Sequence, residues 1–303
     1  MTVDIIGPEA AALLDWTVLT EALTAGHRLP RAEIGDTFLY RGKDTLLNRA
    51  AWIDGLGLLV KAATIFPGNG AVGLPSVNGA VTLYSDRDGT LDAVVDFHLV
   101  TKFKTAGDSL LAARRLARPD SREILLVGAG TVARSMIEAY RSAFPGARFT
   151  VWNRSAAGAL AMEAPGVTAA ADLEGAVRRA DIICTATMSN QPIVKGEWLQ
   201  PGQHLDLIGA YRPDMREVDD EALLRATIFV DARATTVHHI GEIKDPIARG
   251  VITEADIVAD FYDLESGTYA RTSADQITLA KNGGGAHLDL MTAAYILAAW
   301  RGR

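Results

Sequence analysis

Lys61 interrupts the apolar run "GLLVKAAT", and Lys104 interrupts "VTKFKTAG", so each carries an ammonium into surroundings that do not welcome one. Such a charge costs desolvation free energy unless an anion meets it. An internal aspartate or a bound carboxylate would answer that need, and a lysine stem can also reach along apolar surface to water. Taken together the two lysines point to a pocket for a carboxylate substrate. Arg41 and Arg49 are further cations of the same region, and Lys102 shares the direction of Lys104 if that stretch is extended.

A second kind of chemistry is written in "LLVGAGTVARSMIEAY". Gly128, Gly130 and Ala133 fall at the spacing GxGxxA between a predicted strand and a predicted helix. The first glycine allows a tight turn, the second lets backbone approach a pyrophosphate at a helix N-terminus, and the alanine keeps helix and strand close. Gly128, Ala129, Gly130, Thr131 and Val132 are therefore expected to cradle a dinucleotide. The next strand ends "VWNRS", where Asn153, Arg154 and Ser155 offer an amide, a guanidinium and a hydroxyl, with no carboxylate to repel a 2′-phosphate. This predicts NADP(H) in preference to NAD(H), which stays possible. Cys184, Thr185, Ala186 and Thr187, at the end of "ADIICTAT", are expected to line the crevice toward the nicotinamide, because ligands sit beyond the carboxyl ends of parallel strands.

These groups need elements to hold them. "GPEAAALLDWTVLTEALTAGH" predicts one capped helix ending near Gly26. "TFLYR", "GLGLLVKAAT", "NGAVTLYSD" and "LDAVVDF" read as strands of an antiparallel sheet, with Asp88 and Gly89 turning a hairpin. "DSLLAARRLA" predicts a helix stopped by Pro119. From Arg122 onward, short uncharged strands alternate with amphipathic helices, as in a parallel sheet covered on both faces. "RPDMREVDDEALLRA" is expected to enter a helix after Pro213 with its acids and arginines facing water. Asp206 in "HLDLIG" finds no place in this reading. The final helix "AHLDLMTAAYILAAW" is apolar enough to pack back on the first domain. The fold class is thus α/β: a doubly wound, Rossmann-type domain over 109–277, and a smaller α+β substrate-binding and dimerisation domain made of 1–108 with 278–303.

Composition excludes other classes. The 303 residues are 49% hydrophobic and carry a formal charge of −7, with no basic block to hold a phosphate backbone, so nucleic acid is not an expected partner. A single cysteine makes no internal disulfide and no thiolate metal site. His238 and His239 are adjacent and face opposite ways on an extended chain, so no metal is expected there. No apolar stretch approaches the roughly 20 residues of a membrane span, and the N-terminus shows no basic leader; a cytoplasmic protein is the expectation.

The chain also resembles the ornithine cyclodeaminase and mu-crystallin family, which includes ketimine reductases and archaeal-type alanine dehydrogenases. The resemblance is carried by "LLVKAATIFPGNGAVGLPSVNGAVTLYSDRDGTLDAVVD", "LARPDSREILLVGAGTVA", "LDLIGAYRPDMREVD" and "TSADQITLAKNGGGAHLD", in family order from Leu58 to Asp289. It implies a homodimer, a small α-amino or α-imino acid substrate, and a nicotinamide cofactor. The family's lysine after the first sheet segment falls on Lys61, and its substrate-carboxylate arginine falls on Lys104, which keeps the charge and loses the bidentate fork. Arg41 is the position nearest a second family arginine. Ornithine cyclodeaminases place a catalytic aspartate where this chain has Tyr211, so cyclodeamination is not the expected reaction. Asp289 falls on a family acid, and the neighbouring His287, whose imidazole titrates near working pH, joins Tyr211 as a candidate proton donor. The reading is NADPH-dependent reduction of a small ketimine carboxylate to an α-amino acid. An amino-acid dehydrogenase, a deaminating enzyme of the same fold and a carrier that binds NADPH and a small ligand are the alternatives.

Overall fold

In the computed structural model, which describes residues 2–303, the alternating segments of the N-terminal third pair into a six-stranded sheet. Its strands are β1 (Asp4–Ile6), β2 (Glu33–Arg41), β3 (Asp44–Ile53), β4 (Gly57–Ile65), β5 (Val77–Tyr84) and β6 (Leu91–Asp96), in the order β1-β6-β5-β4-β3-β2. Strands β2 to β6 form an antiparallel meander, and β1 runs parallel to β6. Leu59, Lys61 and Ala63 alternate with Val60 and Ala62 along β4, so Lys61 points to the buried face.

The predicted first helix is two. A 3₁₀ turn over Pro8–Leu13 ends in extended backbone at Leu14, and Asp15 then opens α1 (Trp16–Gly26) by accepting from the amides of Thr17 and Val18 at 2.7 and 2.9 Å. In the other direction, α2 (Phe97–Leu116) extends the predicted "DSLLAARRLA" helix back over "VTKFKTAG". Phe97, Val100, Phe103, Leu110 and Leu111 recur on its buried side at helical spacing, which outweighs the β-branched start. The C-terminal helix, Ala286–Arg301, packs across β3, β4 and α1 with Leu290, Met291 and Ile296 buried, each burial contributing roughly 1.5–3 kcal/mol.

The second sheet has eight parallel strands: β7 (Glu123–Val127), β8 (Arg148–Trp152), β9 (Val167–Ala169), β10 (Ile182–Thr185), β11 (His204–Leu207), β12 (Thr227–Val230), β13 (Ile257–Ala259) and β14 (Thr278–Lys281). Their order is β13-β12-β14-β11-β10-β7-β8-β9, so the winding reverses between β7 and β10. The helix α3 (Thr131–Ala143) follows β7 directly, its buried Ala133, Met136, Ile137 and Tyr140 at helical spacing. The chain divides into two units, Met1–Lys104 with Gly285–Arg303, and Thr105–Gly284. β14, which the expected boundary at 278 assigned to the first domain, is a full member of the second sheet, in register between β11 and β12. Among the described residues no helix is long and apolar enough to cross a membrane.

Candidate active site

In the first unit, the register across three strands lines up charge: Asp36 on β2 faces Arg49 on β3, which faces Lys61 on β4. Arg49 grips Asp36 with two N–H groups, at 3.1 and 2.6 Å. Lys61 Nζ donates to Asp289 Oδ1 at 2.8 Å and to Thr101 Oγ1 at 2.9 Å, and lies 4.7 Å from the centre of the Phe97 ring. Asp289 stands in the first turn of the C-terminal helix, where the helix field favours a carboxylate. Lys104 Nζ reaches its other oxygen at 3.5 Å. The Asp289 side chain is fully buried, and those of Lys61 and Lys104 are 8% and 11% exposed.

The electrostatics follow from that crowding. Burial drives the Lys61 ammonium below its ordinary pKa, with Asp289 resisting and Lys104 and Arg49 adding to the fall. Burial alone would raise the Asp289 carboxyl, but Lys104 and Lys61 outweigh it and hold the group below the usual carboxylate range. Three cations (Arg49, Lys61, Lys104) thus face two carboxylates (Asp36, Asp289), an excess of one positive charge. Such a cluster suits an anionic ligand.

Some of the sequence candidates fall elsewhere. Arg41 sits at the tip of the β2–β3 hairpin, 80% exposed and paired with Asp44, so the arginine that joins the cluster is Arg49. The cross-strand register was the signal that finds it. Lys102 does not share the direction of Lys104: two residues apart on a helix they point to different sides, and Lys102 lies over the Phe103 ring. His287 is fully buried, edge-on to His27 at 5.7 Å. Burial first, then His27 and Lys104, push its imidazole well below the ordinary value, so it is neutral at pH 7 and no proton donor of the imidazolium kind.

In the second unit the glycine turn meets its expected context. Gly128 has φ +118°, and a Cβ there would lie 2.6 Å from the Ala186 carbonyl oxygen, so β7 and β10 approach as only glycine permits. A Cβ on Gly130 would meet nothing within 4 Å, and Gly130 opens α3 without a side-chain cap. The start of a 13-residue helix therefore lies beside open space, where a helix N-terminus can receive a phosphate. A cleft of about 250 Å³ lies here, lined by Gly128, Ala129, Gly130, Asn153, Arg154, Ala186 and Thr187 and closed further by Trp152, Met188, Ser189 and Ile193. None of those residues is acidic. Thr131, Val132 and Ser155 are exposed at the adjoining helix starts. These residues fit a dinucleotide.

Cys184 and Thr185 do not line that cleft. Both are fully buried inside β10, as central strands of a covered sheet require, and only Ala186 and Thr187, past the strand end, reach it. Burial, then Asp206, pushes the Cys184 thiol well above its ordinary pKa. Asp206 is placed by the same core: in register with Cys184, it accepts from the Tyr140 hydroxyl and, at 2.7 Å, from Asn282 Nδ2. Tyr211 is 53% exposed in the loop after β11.

The stretch expected to face water holds buried charge instead. Arg216 and Glu217 are buried, and the helix begins only at Asp220. Arg216 donates to Asp245 and Asp220 at 2.8 and 3.0 Å and to the Val218 carbonyl, which is why its burial is tolerated. Glu242 accepts from the amides of Glu217 and Val218 at 2.7 and 3.2 Å. Burial, then the neighbouring Glu217, pushes its carboxyl from 4.5 up to about 7. The folded chain therefore holds a proton that the unfolded chain releases, and stability falls as pH rises from 4.5 to about 7. The full shift is worth about 3 kcal/mol. Urea unfolding of wild type and Glu242→Gln at both ends of that window measures it; the variant should lose this part of the slope, and equal slopes would refute the assignment.

Comparison with known proteins places the chain in a family. Residues 54–303 match the model of the ornithine cyclodeaminase/mu-crystallin family. The chain is 50% identical over 297 residues to a Δ1-pyrroline-2-carboxylate reductase of Paracoccus denitrificans, covering 95% of this chain and 94% of that one. It is similar to the structure of the Thermococcus litoralis Δ1-pyrroline-2-carboxylate reductase in complex with NADH and L-proline, at 25% identity and a TM-score of 0.87, over 99% of this chain and 98% of the other. An archaeal alanine dehydrogenase, described as a dimer with bound NAD, matches at 28% identity and a TM-score of 0.88, over 100% and 97%.

Proposed function

Because the chain belongs to the ornithine cyclodeaminase/mu-crystallin family, we propose that it reduces a small ketimine carboxylate, of the Δ1-pyrroline-2-carboxylate type, to the α-amino acid, with NADPH as the preferred reductant. The observation that carries this reading is the buried cluster of Lys61, Lys104 and Arg49 around Asp289. Its excess positive charge receives the substrate carboxylate. Lys61 spends two N–H groups on Asp289 and Thr101 and has a third to offer. Ionised Asp289 favours a cationic nitrogen, and a protonated imine is the better hydride acceptor. His287, neutral and buried, helps shape the site without supplying the proton. The nicotinamide, when bound, supplies the hydride. Gly128 to Val132 would hold its pyrophosphate, Asn153, Arg154 and Ser155 the 2′-phosphate end, and Ala186 and Thr187 the side toward the nicotinamide. Holding both reactants in attack geometry accounts for much of such a rate, with effective molarities of about 10⁵ M or more in favourable systems.

Two further readings belong to the same proposal. Absence of any carboxylate in the cleft and the presence of Arg154 support NADP(H) over NAD(H). Arg154→Ser should then weaken NADPH binding about tenfold or more and leave NADH binding unchanged, read by fluorescence titration; equal losses for both cofactors would refute the role. A homodimer is supported by the apolar groove of Ile34, Trp52, Leu58, Val60 and Tyr84 on the first sheet, and light scattering tests it. The reaction itself is tested by following nicotinamide absorbance with Δ1-pyrroline-2-carboxylate, Δ1-piperideine-2-carboxylate, and pyruvate with ammonia or methylamine. Turnover with at least one imine, faster with NADPH than with NADH, is the expected result.

A further inference from the structure

We infer that Glu217 is a positioning residue for the nicotinamide side of the dinucleotide cleft, acting through Thr187. The inference rests on the proposed reading of that cleft. Glu217 is fully buried in the irregular segment that follows β11, and its two carboxylate oxygens divide their work between two loops. Oε1 accepts from the Thr187 amide at 2.8 Å and from the Thr187 hydroxyl at 2.7 Å. Oε2 accepts from the amides of Gly209 and Ala210 at 2.8 and 3.0 Å. One side chain therefore ties the loop after β10 to the loop after β11, at the carboxyl ends of neighbouring parallel strands where the cleft lies.

The surroundings are built for that tie. A Cβ on Gly209 would lie 2.3 Å from Glu217 Oε1 and from the Thr187 amide nitrogen, so glycine is what lets the loops close on the carboxylate. The Glu217 carbonyl accepts from the amides of Ile193 and Val194, holding the far end of the Thr187 loop at 2.9 and 3.0 Å. Behind it, Glu242 fixes the Glu217 backbone amide at 2.7 Å. Thr187 in turn lines the cleft beside Ala186, whose carbonyl sets how closely Gly128 can pass. With four donors on two oxygens, a carboxylate is the only side-chain group that satisfies the site. Glutamine keeps the shape but in either orientation turns an NH₂ toward at least one backbone N–H donor, and aspartate is one methylene too short to span both loops.

The test compares two ligands on the full chain. 2′,5′-ADP occupies only the adenosine end at Asn153–Ser155, whereas NADPH also reaches Thr187. In Glu217→Gln, the NADPH dissociation constant should rise about tenfold and kcat should fall, with 2′,5′-ADP affinity and the KM for the imine unchanged. Thr187→Val, which removes one donor and keeps the fold, should give a smaller loss of the same kind. The double variant should lose no more than Glu217→Gln alone, because both act through one contact. Equal loss of NADPH and 2′,5′-ADP in Glu217→Gln would make the residue merely structural and overturn the inference. So would unchanged NADPH affinity in Thr187→Val, which decides the matter if Glu217→Gln does not fold. Failure of 2′,5′-ADP to bind the wild-type chain would instead overturn the reading of the cleft.

Discussion

Lys61→Met should lower kcat/KM for imine reduction by about three orders of magnitude, or about 4 kcal/mol of transition-state stabilisation, while NADPH binding stays within about twofold of wild type. Lys61 lies in the first unit, in the Asp289–Thr101–Phe97 setting, whereas the glycine turn, Arg154 and Thr187 belong to the second. Methionine has nearly the length of the lysine stem and keeps the apolar contacts of β4, so what is lost is the ammonium. Lys61→Arg separates charge from shape: the charge remains, but a planar fork replaces a point donor in a buried site. Steady-state kinetics and a nucleotide titration on the same preparations check the split. A protein whose work is to carry NADPH would keep that binding and have no turnover to lose. Parallel loss of turnover and nucleotide affinity would show that Lys61 supports the fold rather than the chemistry.

Asp289→Asn should be the most destabilising single change in the site, costing about 3–5 kcal/mol. Asp289 is the countercharge of both Lys61 and Lys104, and its removal leaves two nearly buried ammoniums against a neutral amide. The folded carboxyl lies below its usual range. Its contribution is therefore complete above the ordinary aspartate pKa and is lost as pH falls through the folded value, so wild type and variant should converge in acid. Urea unfolding at neutral and at low pH measures both statements. The double variant Lys61→Met/Asp289→Leu should recover part of the loss, because an apolar pair replaces the Lys61–Asp289 pair while Lys104 stays unanswered. A single variant as stable as wild type would show that the lysines find another partner.

The two lysines were readable because each breaks a local pattern: a charge in an apolar strand or helix has to be answered. Asp289, their partner, was marked only by the family resemblance. The glycine turn was readable for the same reason the structure forms it, since small residues between a strand and a helix leave room that only a ligand or a close backbone uses. Arg49 was harder to separate from Arg41. Both lie in one hairpin, and only the pairing of Asp36, Arg49 and Lys61 across three strands decides between them. Cys184 and Thr185 were misplaced because the rule about strand ends does not say where a strand ends; two residues further on, Ala186 and Thr187 leave the sheet. Glu217 was hidden most deeply. In sequence it sits among acids and arginines that read as a solvated helix, and its four donors are backbone and hydroxyl groups from two loops that composition does not mark.

The most direct test of the account is to run the reaction with Δ1-pyrroline-2-carboxylate and NADPH deuterated at the transferable C4 position, and to analyse the amino acid formed by mass spectrometry and NMR. Proline carrying one deuterium at its α-carbon, formed at the rate at which nicotinamide is oxidised and about a thousandfold more slowly with Lys61→Met, is the predicted result. Nicotinamide left reduced in the presence of this and every other imine carboxylate, by protein that binds NADPH, would contradict it.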